Sequence, residues 1–171
     1  MPVIGTTALV IALPAAEPLL AAARDVSPEL VRPGLVAQVT ALYPFLPAAE
    51  LTADVEQAVL ELAATTPVTE VALTELVGSP GFLAAAAPAL QPLADAACAR
   101  WPHVPPYGGR FGPRPRAHLT VAMGANEDEL ARAAVLARAR LPLTARADAL
   151  HLVVLTGDGW RLRLAFPFAQ P

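Results

Sequence analysis

The sequence predicts a single α+β domain made of two similar lobes related by a pseudo-twofold axis. Three observations carry this. Short apolar runs of strand length alternate with segments of helical periodicity. The order of these elements in the first half returns in the second, with one strand added. The middle strand of each half carries a polar-x-Thr triplet: Gln38-Val39-Thr40, then His118-Leu119-Thr120. The lobes are expected at roughly residues 1–80 and 81–171 of one domain spanning 1–171, with strands able to exchange between them.

Taken in order, residues 7–13 form the first strand and end at Pro14. A helix follows over 15–24 with Leu19, Leu20 and Ala23 on one face. Residues 26–35 are loop, punctuated by Pro28, Pro33 and Gly34, and 37–42 form the second strand. Thr52 is placed to cap a helix running to Ala64, and 68–77 is β-rich. Ser79-Pro80-Gly81 is a turn before a short strand at 82–86. Pro88 starts a helix to Arg100, with Leu90, Leu93, Ala97 and Trp101 facing inward. Residues 103–115 hold several prolines and glycines and form a structured loop, followed by a strand at 117–123. Asn126 with Glu129 is a capping box, and Arg138 and Arg140 sit at that helix's negative end. Strands at 149–156 and 160–168 are joined by Gly157-Asp158-Gly159, a hairpin signal.

At 171 residues the chain is long enough to bury a core. It is 55% hydrophobic, but much of that is alanine, and no segment offers the roughly 20 unbroken apolar residues of a spanning helix. The uncharged stretch 1–16 is broken by Pro14 and lacks the basic residues that precede a secretory signal's apolar run. No membrane partner is expected. A net charge of −3 argues against duplex DNA, whose binding needs many cations, and leaves room for one small anionic ligand. The lone Cys98 excludes an intrachain disulfide and a cysteine-cluster metal site. It is expected as a buried thiol, which suits a reducing, cytoplasmic setting. No metal or other cofactor is expected.

Residues i and i+2 of a strand share a face. Gln38 and Thr40 therefore point one way and Val39 the other; His118 and Thr120 point opposite to Leu119, Val121 and Met123. If the two middle strands lie side by side, the polar pairs converge in one groove. Arg110, Arg114 and Arg116 form a basic cluster just before His118, and arginine grips phosphate or carboxylate bidentately. Tyr107 and Phe111 either stack on a flat ligand or fix their loop. Tyr43 is a candidate ligand contact, although it and Phe45 also suit anchoring of the strand end in the core. Gly108-Gly109 permits a tight turn but lacks the Lys-Ser/Thr of a phosphate-binding P-loop. His103 reads as an exposed loop histidine and His151 as a satisfied sheet-face histidine.

The paired triplets and their surroundings resemble the two-histidine phosphoesterases, the group of the 2′-5′ RNA ligase-like proteins and 2′,3′-cyclic phosphodiesterases. Q-V-T-A-L-Y-P-F, from Gln38 to Phe45, is similar to that family's H-V-T-x-L-Y-P-F. P-P-Y-G-G-R-F before A-H-L-T-V-A is similar to the loop and strand around its second histidine. The likeness in element order covers about residues 6–168. It implies antiparallel sheets lining a central cleft with helices outside, metal-free acid–base chemistry by two histidines, threonine hydroxyls on the phosphate, and a monomer by default. His118, Thr120 and Thr40 fall on the catalytic positions, and Gln38 stands where the first histidine belongs. The run 82–86 is poorer in aromatics than the resemblance implies, which hints at a changed pocket.

An imidazole exchanges protons near neutral pH; a Gln amide only donates and accepts hydrogen bonds. Three functions are therefore weighed. One is a phosphodiesterase-like hydrolase acting on a phosphoester or nucleotide ligand, an RNA end included, with catalysis altered or reduced at Gln38. Another is a repurposed enzyme of small-molecule, secondary-metabolic biosynthesis, such as a cyclase or isomerase, with His118 as sole acid/base. The third is a nucleotide-binding pseudoenzyme.

Overall fold

The computed structural model describes residues 2–171. Met1, part of the uncharged stretch noted above, lies outside them. Each half runs β–α–β–α–β–β. The first comprises β1 (Thr7–Ala12), α1 (Glu17–Val26), β2 (Gln38–Leu42), α2 (Ala53–Ala64), β3 (Thr69–Leu73) and β4 (Leu76–Ser79). The second comprises β5 (Phe82–Ala86), α3 (Gln91–Arg100), β6 (His118–Met123), α4 (Glu127–Arg138), β7 (Leu143–Ala147) and β8 (Ala149–Thr156), and β9 (Gly159–Pro167) follows.

One antiparallel seven-stranded sheet has the order β4-β5-β6-β2-β1-β8-β9, and β3 pairs with β7 in a separate two-stranded sheet. Outward from the centre, β6-β5-β4 on one side mirrors β2-β1-β8 on the other. The last strand of each half pairs with the first strand of the opposite half, β4 with β5 and β8 with β1. At the centre β2 and β6 meet through one registered pair, Val39 with Leu119.

Both of those side chains are fully buried, and they join a core to which all four helices contribute, through residues such as Leu19, Val59, Leu93 and Ala133. The sheet thus has a helix-covered face and an open face. The helices start where the local chemistry dictates. The Thr52 hydroxyl accepts the Val55 N–H at α2, and Asn126 and Glu129 form the reciprocal capping box at α4. Pro14 and Pro88 begin short 3-10 turns that lead into α1 and α3 rather than the helices themselves, because a proline suits a first turn whose N–H groups need no partner.

Two strand assignments differ from expectation. The β-rich stretch 68–77 divides into β3 and β4, which belong to different sheets. β7 is an additional strand between α4 and β8. Its alternation is regular, with Leu143, Ala145 and Ala147 facing inward and Thr144 and Arg146 outward. Alanine and arginine have little intrinsic strand preference, and pairing with β3 over its whole length supplies what propensity lacks.

His151 on β8 is structural, as its sequence context suggested. Its Nδ1 accepts the Ala12 N–H at 3.4 Å, beyond the end of the β1–β8 ladder. Burial pushes the imidazole pKa below its ordinary 6.5, opposed by a backbone hydrogen bond at Val10 and by Asp148. The unfolded chain therefore takes up the proton at a higher pH than the folded one. Stability from this group is present above about pH 6.5 and declines as pH falls below it. His151→Asn retains an acceptor for Ala12 and is expected to flatten the fall in melting temperature between pH 7.5 and 5; identical pH profiles would show that His151 does not titrate in this way.

Candidate functional site

The β2–β6 seam places the two triplets together on the open face. In the antiparallel register around Val39 and Leu119, Gln38 stands opposite Thr120, and Thr40 opposite His118. Gln38 and His118 then lie on a diagonal, at the roughly 7–8 Å spacing usual for such neighbours, a span that accommodates a tetrahedral anion.

A bulge re-aims the next residues. Val10 pairs with Thr40 while Leu9 pairs with Leu42, so Ala41 is the extra residue in β2. On β6 the same occurs at Val121, because Ala84 pairs with Thr120 and Leu83 with Ala122. Strict alternation would send Tyr43 and Met123 to the core side with Val39 and Leu119. After the bulges both line the cleft. Phe45 does enter the core, packed edge-on against Trp101 with centroids 4.8 Å apart.

The cleft has a volume of about 820 Å³. It is lined by Gln38, Thr40, Tyr43, Tyr107, Arg110, Phe111, Arg114, Arg116, His118 and Thr120, so every residue singled out for ligand chemistry reaches it. His103 and His151 do not line it. Sequence reasoning missed Arg32, Val10 and Trp160 as lining groups. Arg32 had a signal: it precedes β2 as Arg110, Arg114 and Arg116 precede β6.

Two contacts set up His118. Its Nδ1 lies 2.8 Å from the Arg116 carbonyl oxygen. A carbonyl only accepts, so Nδ1 carries a proton, and in the neutral ring Nε2 is the nitrogen with the free lone pair. The ring also packs edge-on against Phe82 at 5.6 Å. The Arg116 backbone is clamped in turn by Gln91. The Gln91 Nε2 donates to the Pro115 carbonyl at 3.1 Å, and its Oε1 accepts the Ala117 N–H at 2.7 Å. Gln91 was not recognised from sequence, because a glutamine in a helix's first turn has no distinctive pattern.

The loop between α3 and β6 is pinned at its other end by Tyr107, whose N–H donates to the Tyr43 carbonyl. Tyr107 adopts a left-handed backbone with φ 51°, at a cost of about 1–3 kcal/mol. Gly108 and Gly109 continue that positive-φ turn without strain. Burial raises the Tyr107 phenol pKa, offset in part by a hydrogen bond with Thr40. The phenol thus stays protonated beside the seam. Four rings form a run along this wall. Trp160 and Tyr43 lie 6.1 Å apart, Tyr43 and Tyr107 6.0 Å, and Tyr107 and Phe111 5.4 Å.

The electrostatics are one-sided. The charged side chains lining the cleft are Arg32, Arg110, Arg114 and Arg116, with no Asp or Glu among the lining residues. None of the four takes part in an ion pair among the described residues; the arginines that do are Arg24, Arg100, Arg146 and Arg163. The Arg110 guanidinium instead sits 5.3 Å from the Phe111 ring centroid. No group of three His, Cys, Asp or Glu side chains converges to hold a metal among the described residues. No helix among them is long and apolar enough to cross a membrane.

The same architecture occurs in known proteins. The sequence profile of the 2′-5′ RNA ligase superfamily matches residues 14–159. No curated protein matches by sequence. Among solved structures, Escherichia coli LigT complexed with 3′-AMP is similar at TM-score 0.64 and 17% identity, over 98% of this chain and 100% of that one. TT0787 of Thermus thermophilus is similar at TM-score 0.64 and 18% identity, over 96% and 98%. A structure described as a phosphoesterase gives TM-score 0.63 and 17% identity, over 98% and 100%. At these identities the likeness is one of fold. LigT has also been crystallised with phosphate, ATP and NADP+.

The Gln91 clamp gives a direct test of how the arginine loop is held. Gln91→Ala removes two hydrogen bonds from the backbone on either side of Arg116 and is expected to speed amide hydrogen exchange at Ala117 by about tenfold or more. Unaltered exchange in a folded variant would show that Gln91 does not hold this segment.

Proposed function

The chain belongs to the 2′-5′ RNA ligase superfamily, and from that membership we propose that its cleft binds an organic phosphate and acts on it as a phosphodiesterase-like hydrolase with reduced acid–base power. The observation that carries this reading is the cleft's charge. In a protein of net charge −3, every charged side chain lining it is an arginine without an ion-pair partner among the described residues. Like charges gathered in this way repel one another, and an anion relieves the repulsion while accepting bidentate hydrogen bonds. The complexes of LigT with 3′-AMP and phosphate support a phosphate-bearing ligand in this fold.

The phosphoryl group sits over the seam. The Thr40 and Thr120 hydroxyls and the Gln38 amide donate to its non-bridging oxygens, and an arginine from the 110–116 loop offsets the charge that develops in the transition state. His118, with Nε2 unprotonated, takes the proton of an attacking water. The departing oxygen receives a hydrogen bond from Gln38 but no proton, and draws its proton from solvent. Water attack and leaving-group departure are thus assisted unequally, which slows in-line displacement.

The reaction is to be assayed with 2′,3′-cyclic nucleotides and with bis(4-nitrophenyl) phosphate, a phosphodiester without ribose. Restoring an imidazole by Gln38→His is expected to raise turnover by about 10²–10⁴-fold, the usual contribution of one general acid or base. His118→Ala is expected to remove the activity of the natural chain. Phosphate binding without turnover in the natural chain and in Gln38→His would assign the cleft to ligand binding alone. Absence of phosphate binding in every form would overturn the reading, and would favour a small-molecule enzyme in which His118 moves a proton on a substrate without a phosphoryl group.

A further inference from the structure

The open face is not uniformly polar. Val10 lies directly beside Thr40 in the β1–β2 register, and from it an apolar strip runs away from the seam. Ala8, Val10, Val153 and Trp160 form a second buried cluster, separate from the main core, with Leu35, Tyr43 and Leu155 packed against it. Ala8, Val10, Val153 and Trp160 all line the cleft, as do Leu35 and Tyr43. The strip carries no ionisable group other than the Tyr43 phenol, and its only other polar side-chain atom is the Trp160 indole nitrogen. At the cleft's rim Val36 is 50% exposed and Phe111 59% exposed. Apolar side chains left in water beside an anion site gain from being covered when a ligand arrives.

From this we infer that the ester arm of the substrate lying on this strip is a flat hydrophobic alcohol, an aryl group in its simplest form, and not a nucleoside of an oligonucleotide. The inference rests on the organic-phosphate reading above and deepens it by naming the ester's other half. With the phosphoryl group on the seam, the next group outward meets Val10 and the Trp160–Tyr43 side of the ring run. A ribose there would place its hydroxyls against aliphatic carbon, where they lose water and find few partners. An aryl group loses nothing, lies on the strip without needing polar partners, covers the exposed Val36 and Phe111 side chains at the rim and meets the rings edge-on.

The test is calorimetric titration of the full chain with four probes: inorganic phosphate, ribose 5-phosphate, AMP and 1-naphthyl phosphate. Tighter binding of 1-naphthyl phosphate than of the other three, by about tenfold or more, is expected from the apolar area it buries. Val36→Ser, at a half-exposed position, is expected to lower the ratio of naphthyl to inorganic phosphate affinity. Equal affinity for 1-naphthyl phosphate and ribose 5-phosphate would overturn the inference and leave the organic-phosphate reading standing. AMP binding as tightly as 1-naphthyl phosphate would overturn it in favour of a nucleotide pocket. Failure of all four probes to bind would overturn both.

Discussion

The packing of Val39 against Leu119 at the centre of the sheet is the constraint on which the rest depends. It is the registered pair that joins β2 to β6, and both side chains are wholly buried. Because strands alternate their faces, burying these two residues obliges their neighbours to turn the other way. Gln38, Thr40, His118 and Thr120 are therefore presented together by hydrophobic packing on the opposite face. A slip of one residue at this seam would bury the polar set and expose the aliphatic one. The same symmetry governs the bulges at Ala41 and Val121, which return Tyr43 and Met123 to the open face.

Orientation at the site is economical in residues. Gln91 holds the backbone on either side of Arg116, and the Arg116 carbonyl holds His118 Nδ1. One short stretch thus sets both a guanidinium's approach and an imidazole's tautomer. A helix residue that does not line the cleft is tied to both, in the manner of the outer partners that orient histidines in metal sites. On the other side of the loop, the strained Tyr107 backbone is held by Tyr43, so the arginines are carried between two fixed ends.

The cleft joins two kinds of surface that are costly when bare. Four arginines without ion-pair partners among the described residues repel one another, and the apolar side chains of Val36 and Phe111 face water at the rim. Both costs fall with a ligand that is anionic at one end and hydrophobic at the other. The seam between them offers several hydrogen-bond donors but one imidazole. Of the four polar positions in the paired triplets, His118 alone carries an imidazole, and Gln38 carries an amide that hydrogen-bonds without exchanging protons.

Much was determined by the sequence itself. Strand alternation, prolines at element starts, the Thr52 and Asn126 caps and the repeated triplets were legible because they rest on local periodicity and on hydrogen bonds that span a few residues. Where the structure differs, the deciding interaction is remote in sequence. β7 exists because β3 lies beside it, and its Ala–Arg composition does not announce a strand. Tyr43 faces the cleft because of a bulge that only the register with β1 reveals. Arg32, Gln91 and the Val10–Trp160 strip join the site because separate segments converge on one face of the sheet. Convergence of that kind is settled by which buried side chains pack together, and no local pattern records it.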